Sequence, residues 1–158
     1  MRRAWWRKGV AFQCQPNCGQ CCDEPNGRVY LAPKDAERLA RHAGCSVEEW
    51  LERDAHQLPD GRYVLNSRKS DGRCIHFNER RQCDIYTVRP QQCAAFPWWG
   101  ENLATSRSWE DTREACPGID AENALVIDGH TIRLHVMADR TSTKSFDAWP
   151  PSPNRWKR

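Results

Sequence analysis

Apolar positions come along this chain in short bursts whose spacing changes from one to the next. VYLAP at 29–33 alternates as an extended segment and delivers Pro33, whose fixed φ suits the first turn of a helix. Leu39, Ala40 and Ala43 then share one face, and Gly44 ends the pattern. Ser46-Val-Glu-Glu49 is a capping box, in which the serine hydroxyl takes the Glu49 amide and the glutamate reaches back, so a short helix through Trp50, Leu51 and Ala55 is expected. RYVLN at 62–66 alternates as a strand does. CIHF (74–77) and QCDIY (82–86) flank the polar turn NERR, which predicts a β-hairpin with a four-residue loop. Pro90 opens a helix carrying Cys93, Ala94 and Phe96, halted by Pro97. Within 125–139, LVIDGHTI fits either a hairpin through Asp128-Gly129 or a helix capped by Asp128 and running to Asp139; the helix is the reading adopted.

These bursts supply little oil. Leu, Ile, Val and Phe make up 24 of 158 residues, or 15%, below the roughly 20% that separates globular from disordered composition. Disorder goes with high net charge, yet 24 basic residues nearly balance 21 acidic ones, and nine cysteines and eight tryptophans supply the density instead. Such a composition asks for cross-links. The length fits one domain plus tails. Residues 1–11 read as a basic, Trp-containing leader, 12–120 as the cysteine-bearing domain, 121–145 as a helical extension and 146–158 as a Pro-, Trp- and base-containing tail.

The opening MRRAWWRKGVAF lacks the apolar stretch of about 7–15 residues found in secretory signals. No segment approaches the roughly 20 apolar residues of a membrane span. A cytoplasmic setting is therefore expected, where thiols stay reduced unless something coordinates them. An odd total of nine would also leave one thiol over in any full pairing. Metal ligation is accordingly favoured over a disulfide framework or a redox dithiol.

Four of the nine crowd into CQPNCGQCC, Cys14 to Cys22. Turn formers or hairpin ends adjoin eight: Pro16 and Gly19 inside that cluster, Asp71-Gly72 before Cys74, Asn78 after CIHF, and Pro117-Gly118 after Cys116. Tight turns let short thiolate side chains converge on one ion. Cys14, Cys18, Cys21, Cys22, Cys74, Cys83, Cys93 and Cys116 are thus the expected ligands, enough for up to two four-thiolate sites, each zinc or iron–sulfur. Neighbouring Cys21 and Cys22 are expected to diverge and serve different sites. Cys45, between Gly44 and the Ser46 cap, reads as a small buried hydrophobe. His76 is an alternative ligand, although its hairpin position predicts that it faces solvent.

Structural zinc contributes on the order of 10–16 kcal/mol in small peptides, against roughly 5–15 kcal/mol for the whole stability of a domain, so metal binding and folding are expected to coincide. Eight thiolates holding two divalent ions would also carry the formal charge from +3 to about −1. Around the sulfurs, Arg89 is the expected cofactor-binding auxiliary, giving charge-assisted hydrogen bonds to a sulfur or carboxylate. The helix start at Pro90 offers free N–H groups towards Cys93.

Other function classes find less support. His42, His56, His76, His130 and His135 form no HExxH pattern, and no Ser–His–Asp set can be nominated, so no catalytic residue is assigned. Trp5, Trp6, Arg7 and Lys8 at one end, with Trp149, Arg155, Trp156, Lys157 and Arg158 at the other, are of a type that stacks on nucleobases or rests on a membrane surface. Packing back onto the domain is the favoured reading of both ends. No protein partner is indicated.

Phe12-x-Cys14-x3-Cys18-x2-Cys21-Cys22, Cys74-x-x-Phe77, Cys83-x-Ile85-Tyr86-x2-Arg89-Pro90-x2-Cys93-x2-Phe96-Pro97-Trp98 and Cys116-Pro117-Gly118 resemble the YkgJ-like cysteine-cluster, or CxxCxxCC, family of zinc- or iron-chelating proteins. The resemblance runs from Phe12 to Ile119. It implies metal or iron–sulfur binding through the eight thiols. The predicted elements add up to a small α+β fold of short helices and a β-hairpin organised around those sites. One departure is the three residues between Cys14 and Cys18. A similar cluster occurs in flagellin lysine N-methylases, which implies an enzymatic or accessory alternative, but no Gly-rich nucleotide loop follows a strand here.

Overall fold

The computed structural model of the chain describes residues 3–144. Its strands are β1 (Val10–Phe12), β2 (Tyr30–Leu31), β3 (Ala55–Gln57), β4 (Tyr63–Leu65) and β5 (Leu125–Ile127). Its α-helices are α1 (Pro33–Ala43), α2 (Val47–Asp54), α3 (Gln91–Ala95), α4 (Gly100–Leu103), α5 (Ser106–Ala115) and α6 (Gly129–Lys144). The class is α+β, as expected.

Local signals account for the first half. Pro33 opens α1, and Gly44 closes it with φ 71°, a left-handed conformation costly to other residues. The capping box forms as read, with Ser46 N–H to Glu49 at 2.9 Å and Glu49 N–H to the Ser46 hydroxyl at 3.2 Å. These helices bury Leu39, Ala40, Trp50 and Leu51 against a small antiparallel sheet ordered β2-β4-β3, forming a first core with Leu31, Tyr63, Leu65 and Ile85. Cys45 packs partly buried against it.

A second core stands apart. β1 pairs antiparallel with β5, Val10 opposite Ile127, and Trp98, Leu103, Trp109, Ile119, Ile132 and Val136 gather beneath. Rings stack here: Trp98 on Trp109 at 5.7 Å and 13°, with Phe12 edge-on to Trp98 at 5.5 Å. Trp5 joins at 5.4 Å from Trp109 and donates its indole N–H to the Leu103 carbonyl at 3.1 Å, while Trp6 packs on the same cluster. The leader's indoles are therefore engaged in packing. The tail tryptophans, Trp149 and Trp156, lie outside the described residues.

Two segments test the sequence reading. Within 125–139 the helix forms and the hairpin through Asp128-Gly129 does not: Asp128 caps α6, accepting from the His130 and Thr131 amides at 2.9 and 3.0 Å, while LVI before it becomes β5 and pairs with the distant β1. The hairpin expected at 74–86 does not become a ladder. Its turn forms, with Asn78 N–H to Gln82 O at 2.9 Å, but only one bridge follows, Phe77 to Cys83. The chain instead folds into tight turns, in which the Phe77 amide bonds back to the Cys74 carbonyl at 3.1 Å and the Tyr86 amide to the Cys83 carbonyl at 3.2 Å. His76 also corrects an expectation: its Nε2 is buried without a hydrogen-bond partner, and burial lowers its pKa.

A buried carboxylate joins the first core to the segment bearing Cys93. Asp35, 2% exposed, accepts from Ala32 N–H (2.9 Å), the Arg38 guanidinium (2.7 Å) and Gln91 N–H (3.1 Å). Arg38 continues to the carbonyls of Val88 (3.2 Å) and Arg89 (2.9 Å). The first amide of α3 therefore goes to Asp35, not to a sulfur as the Pro90 helix start had suggested.

Candidate metal centre

The eight expected ligands come from four places. Cys14, Cys18, Cys21 and Cys22 lie on the loop after β1, Cys74 and Cys83 on the turns packed against the first core, Cys93 on α3, and Cys116 at the end of α5 in the second core. Cys116 is buried and only Cys14 and Cys21 are exposed.

The loop reaches the turns through Gly19, which adopts φ 60° before a 3-10 turn at Gln20–Cys22. A Cβ on Gly19 would strike the Arg81 carbonyl oxygen and come within 2.8 Å of the Phe77 ring. We expect Gly19→Ala to cost more than about 1 kcal/mol through backbone strain alone. A lowered urea midpoint at unchanged slope in reduced protein checks this.

On that 3-10 turn the vicinal pair converges. Cys22 hydrogen-bonds Cys21 and also Cys83. Its proton, held between two sulfurs, pushes the Cys22 pKa upward and lowers those of Cys21 and Cys83 to about 7. The Arg89 charge adds to the lowering at Cys21. Burial raises Cys74, Cys93 and Cys116, with repulsion from other thiols adding at each: Cys83 acts on Cys74; Cys74, Cys21 and Cys83 act on Cys93; Cys18 and Cys21 act on Cys116. Cys21 is therefore a common neighbour of thiols from both cores.

Backbone amides partly oppose these upward shifts. Cys74 accepts from the His76 and Phe77 amides, Cys83 from Ile85, and Cys116 from Gly118 and Ile119. Each sulfur is thus held by N–H groups two or three residues onward, an arrangement that favours the thiolate. Cys14 meets the Tyr86 hydroxyl; charge at Cys14, then burial, raises the Tyr86 pKa. Arg89 sits over the Tyr86 ring at 4.1 Å and donates to the Tyr86 carbonyl at 2.8 Å. Its expected role thus becomes a field acting on Cys21 from the rim.

Among the described residues, no three His, Cys, Asp or Glu side chains stand in an arrangement that could hold a metal ion. The sulfurs are gathered as hydrogen-bonded thiols and are not aimed at a common point. As donors they nonetheless suit a soft or borderline cation, being sulfur throughout and supported by amides.

A family model described as "CxxCxxCC: Putative zinc- or iron-chelating domain" matches residues 13–123, more than two thirds of the chain. The chain belongs to the CxxCxxCC family. The CxxCxxCC match takes in all eight expected ligands and ends before β5 and α6, although both pack into the second core. No solved structure matches the chain. No helix among the described residues is long and apolar enough to cross a membrane.

Sequence reasoning named the thiols but missed Tyr86 and Asp35. Tyr86 lies within the Ile-Tyr-x-x-Arg-Pro motif, so position was the available signal. For Asp35 the signal was an acid two residues after a helix-opening proline.

Proposed function

We propose that this CxxCxxCC domain chelates zinc or an iron–sulfur centre through Cys14, Cys18, Cys21, Cys22, Cys74, Cys83, Cys93 and Cys116, and that it completes its fold on loading. The observation that carries this reading is the tight turn after each of Cys74, Cys83 and Cys116, closed by the Phe77, Tyr86 and Ile119 amides on the cysteine's own carbonyl, in which amides beside the sulfur favour its thiolate. A bound cation would supply the positive charge that the proton on Cys22 provides between its two neighbours. The remaining work belongs to the chain: the turns orient the sulfurs, Trp98 and Phe96 pack in the core that holds Cys116, and Arg89 offsets charge at the rim.

Purification without oxygen, followed by iron, acid-labile sulfide and zinc per chain and a visible spectrum, tests the proposal. One or two zincs and no colour identify a zinc protein, matching iron and sulfide an iron–sulfur protein, and neither metal refutes chelation. The exposure of Cys14 and Cys21 supports metal handling over a sealed staple, and rapid loss of metal to an external chelator is the corresponding expectation.

Loading must displace protons, so affinity should fall with falling pH. Cys21 and Cys83, at about 7, bind protons increasingly below neutrality, while the raised thiols are protonated throughout that range and release theirs only to metal. We expect cobalt(II) affinity to fall by more than about tenfold per pH unit between pH 7 and 6, since several protons leave per ion. Competition titrations followed by sulfur-to-cobalt absorption measure the slope.

A further inference from the structure

On the outer side of the thiol turns lies a cleft of about 400 Å³ lined by Arg68, Arg73 and Arg81 together with Asp23, Asp71 and Glu79. Three guanidiniums suggest an anion site, but the three carboxylates match them in number. Their pairing points elsewhere. Asp23 follows Cys22 directly, Arg73 precedes Cys74 directly, and Arg81 stands two residues before Cys83. Asp23 Oδ1 pairs with Arg73 Nε, and Asp23 Oδ2 with Arg81 Nη2 at 2.8 Å. One carboxylate therefore grips the chain beside all three cysteines.

The anchors are themselves braced. Asp71 accepts the Arg73 amide at 3.0 Å and pairs with Arg68 at 2.7 Å, and Arg68 reaches the Phe77 carbonyl at 2.7 Å. Arg68 and Arg81 approach the Phe77 ring at 6.0 and 5.8 Å. The Asn26 amide donates to Gly72 O at 2.8 Å, a further tie between the first loop and this turn. Asp23 itself is 19% exposed in its side chain, sheltered more than Arg73 or Arg81.

We infer that Asp23 is a positioning residue for the thiol nest, an external clasp that holds Cys22 against the Cys74 and Cys83 turns whether or not a cation is present. The inference rests on the chelation proposed above for its consequence and on the ion pairs for its geometry. Thiols brought together from three separate segments need such a restraint, because the loop from Cys14 to Cys22 buries no residue. Asp23 touches no sulfur. It acts by fixing the backbone that carries one.

Two measurements on the full chain, reduced and free of oxygen, test the clasp. With cobalt(II) as probe, Asp23→Asn should bind about tenfold more weakly, the low end for loss of an outer supporting residue, and Asp23→Glu should recover part of the loss. Wild-type affinity should approach that of the variant in 1 M salt, where exposed ion pairs are screened, while the variant responds less. Asp60→Asn, at the comparable Asp60–Arg62 pair, is the control and should change nothing. In metal-free protein, oxidation by diamide should pair Cys22 with Cys83, mapped by mass spectrometry, and Asp23→Asn should slow that pairing several-fold. Equal cobalt affinity in wild type and Asp23→Asn, or an equal pairing rate, overturns the clasp; a wild type that takes up no cobalt overturns chelation alone, since the pairing rate still decides the clasp. Should Asp23→Asn not fold, Arg81→Gln removes one arm and is judged by the same outcomes.

Discussion

Stripping metal from the loaded, reduced protein should lower its melting temperature by roughly 8–16 °C, taking about 4 kcal/mol for a ligand present at a thousand times its dissociation constant. The size follows from how the oil is divided. Two separate cores share the few large apolar residues, and the thiols draw on both, with Cys74 and Cys83 packed against the first and Cys116 inside the second. The loop from Cys14 to Cys22 buries nothing, so hydrogen bonds and sulfur contacts hold it. Removing the cation leaves repelling or protonated thiols where the halves meet. Calorimetry in a thiol-free reductant with and without a zinc or iron chelator measures the shift, and amide exchange should place the earliest loss of protection between Gln13 and Asp23. Identical melts would refute any part for metal in holding this fold.

Asp35→Ala should destabilise the protein by about 3 kcal/mol, the lower end of the 3–5 kcal/mol for breaking a buried ion pair. The lower end applies because the Arg38 side chain is 39% exposed and can regain water. The Ala32 and Gln91 amides lose their acceptor, and Arg38 loses the partner that directs it to Val88 O and Arg89 O. A shift in melting temperature of roughly 6–12 °C is expected for a chain of this length. Because the freed segment bears Arg89 and leads into Cys93, metal capacity should fall as well. Asp35→Asn, which keeps the shape and one acceptor oxygen, should lose less on both measures; equal losses would show that the charge is immaterial.

Elements written in a few adjacent residues were legible in the sequence. Pro33, Gly44 and the Ser46–Glu49 box placed α1 and α2, and Asp128 placed the start of α6, because each signal and its effect lie within one turn of helix. What escaped depended on distant partners or on tight turns that override alternation. Asp35 finds Gln91 across 56 positions, and Arg38 finds Arg89 across 51. The failed hairpin shows the second limit. CIHF and QCDIY alternate correctly for strands, but alternation does not register tight turns, and after Cys74 and Cys83 the Phe77 and Tyr86 amides bond back to carbonyls three residues before. The candidate thiols were legible as residue types; their gathering about Cys21 was not, because it depends on the first loop folding through Gly19 onto the distant Cys83 turn.

The indoles are apportioned in a way that gives each half its own optical label. Trp50 reports from the first core, and the stacked Trp98–Trp109 pair, with Trp5 beside it, reports from the second. Coupled transitions of stacked rings give near-ultraviolet dichroism that a solitary indole lacks. The fluorescence that Trp50→Phe removes, taken as the difference from wild type, and the dichroism of the stacked pair would therefore time the two halves independently as they come apart.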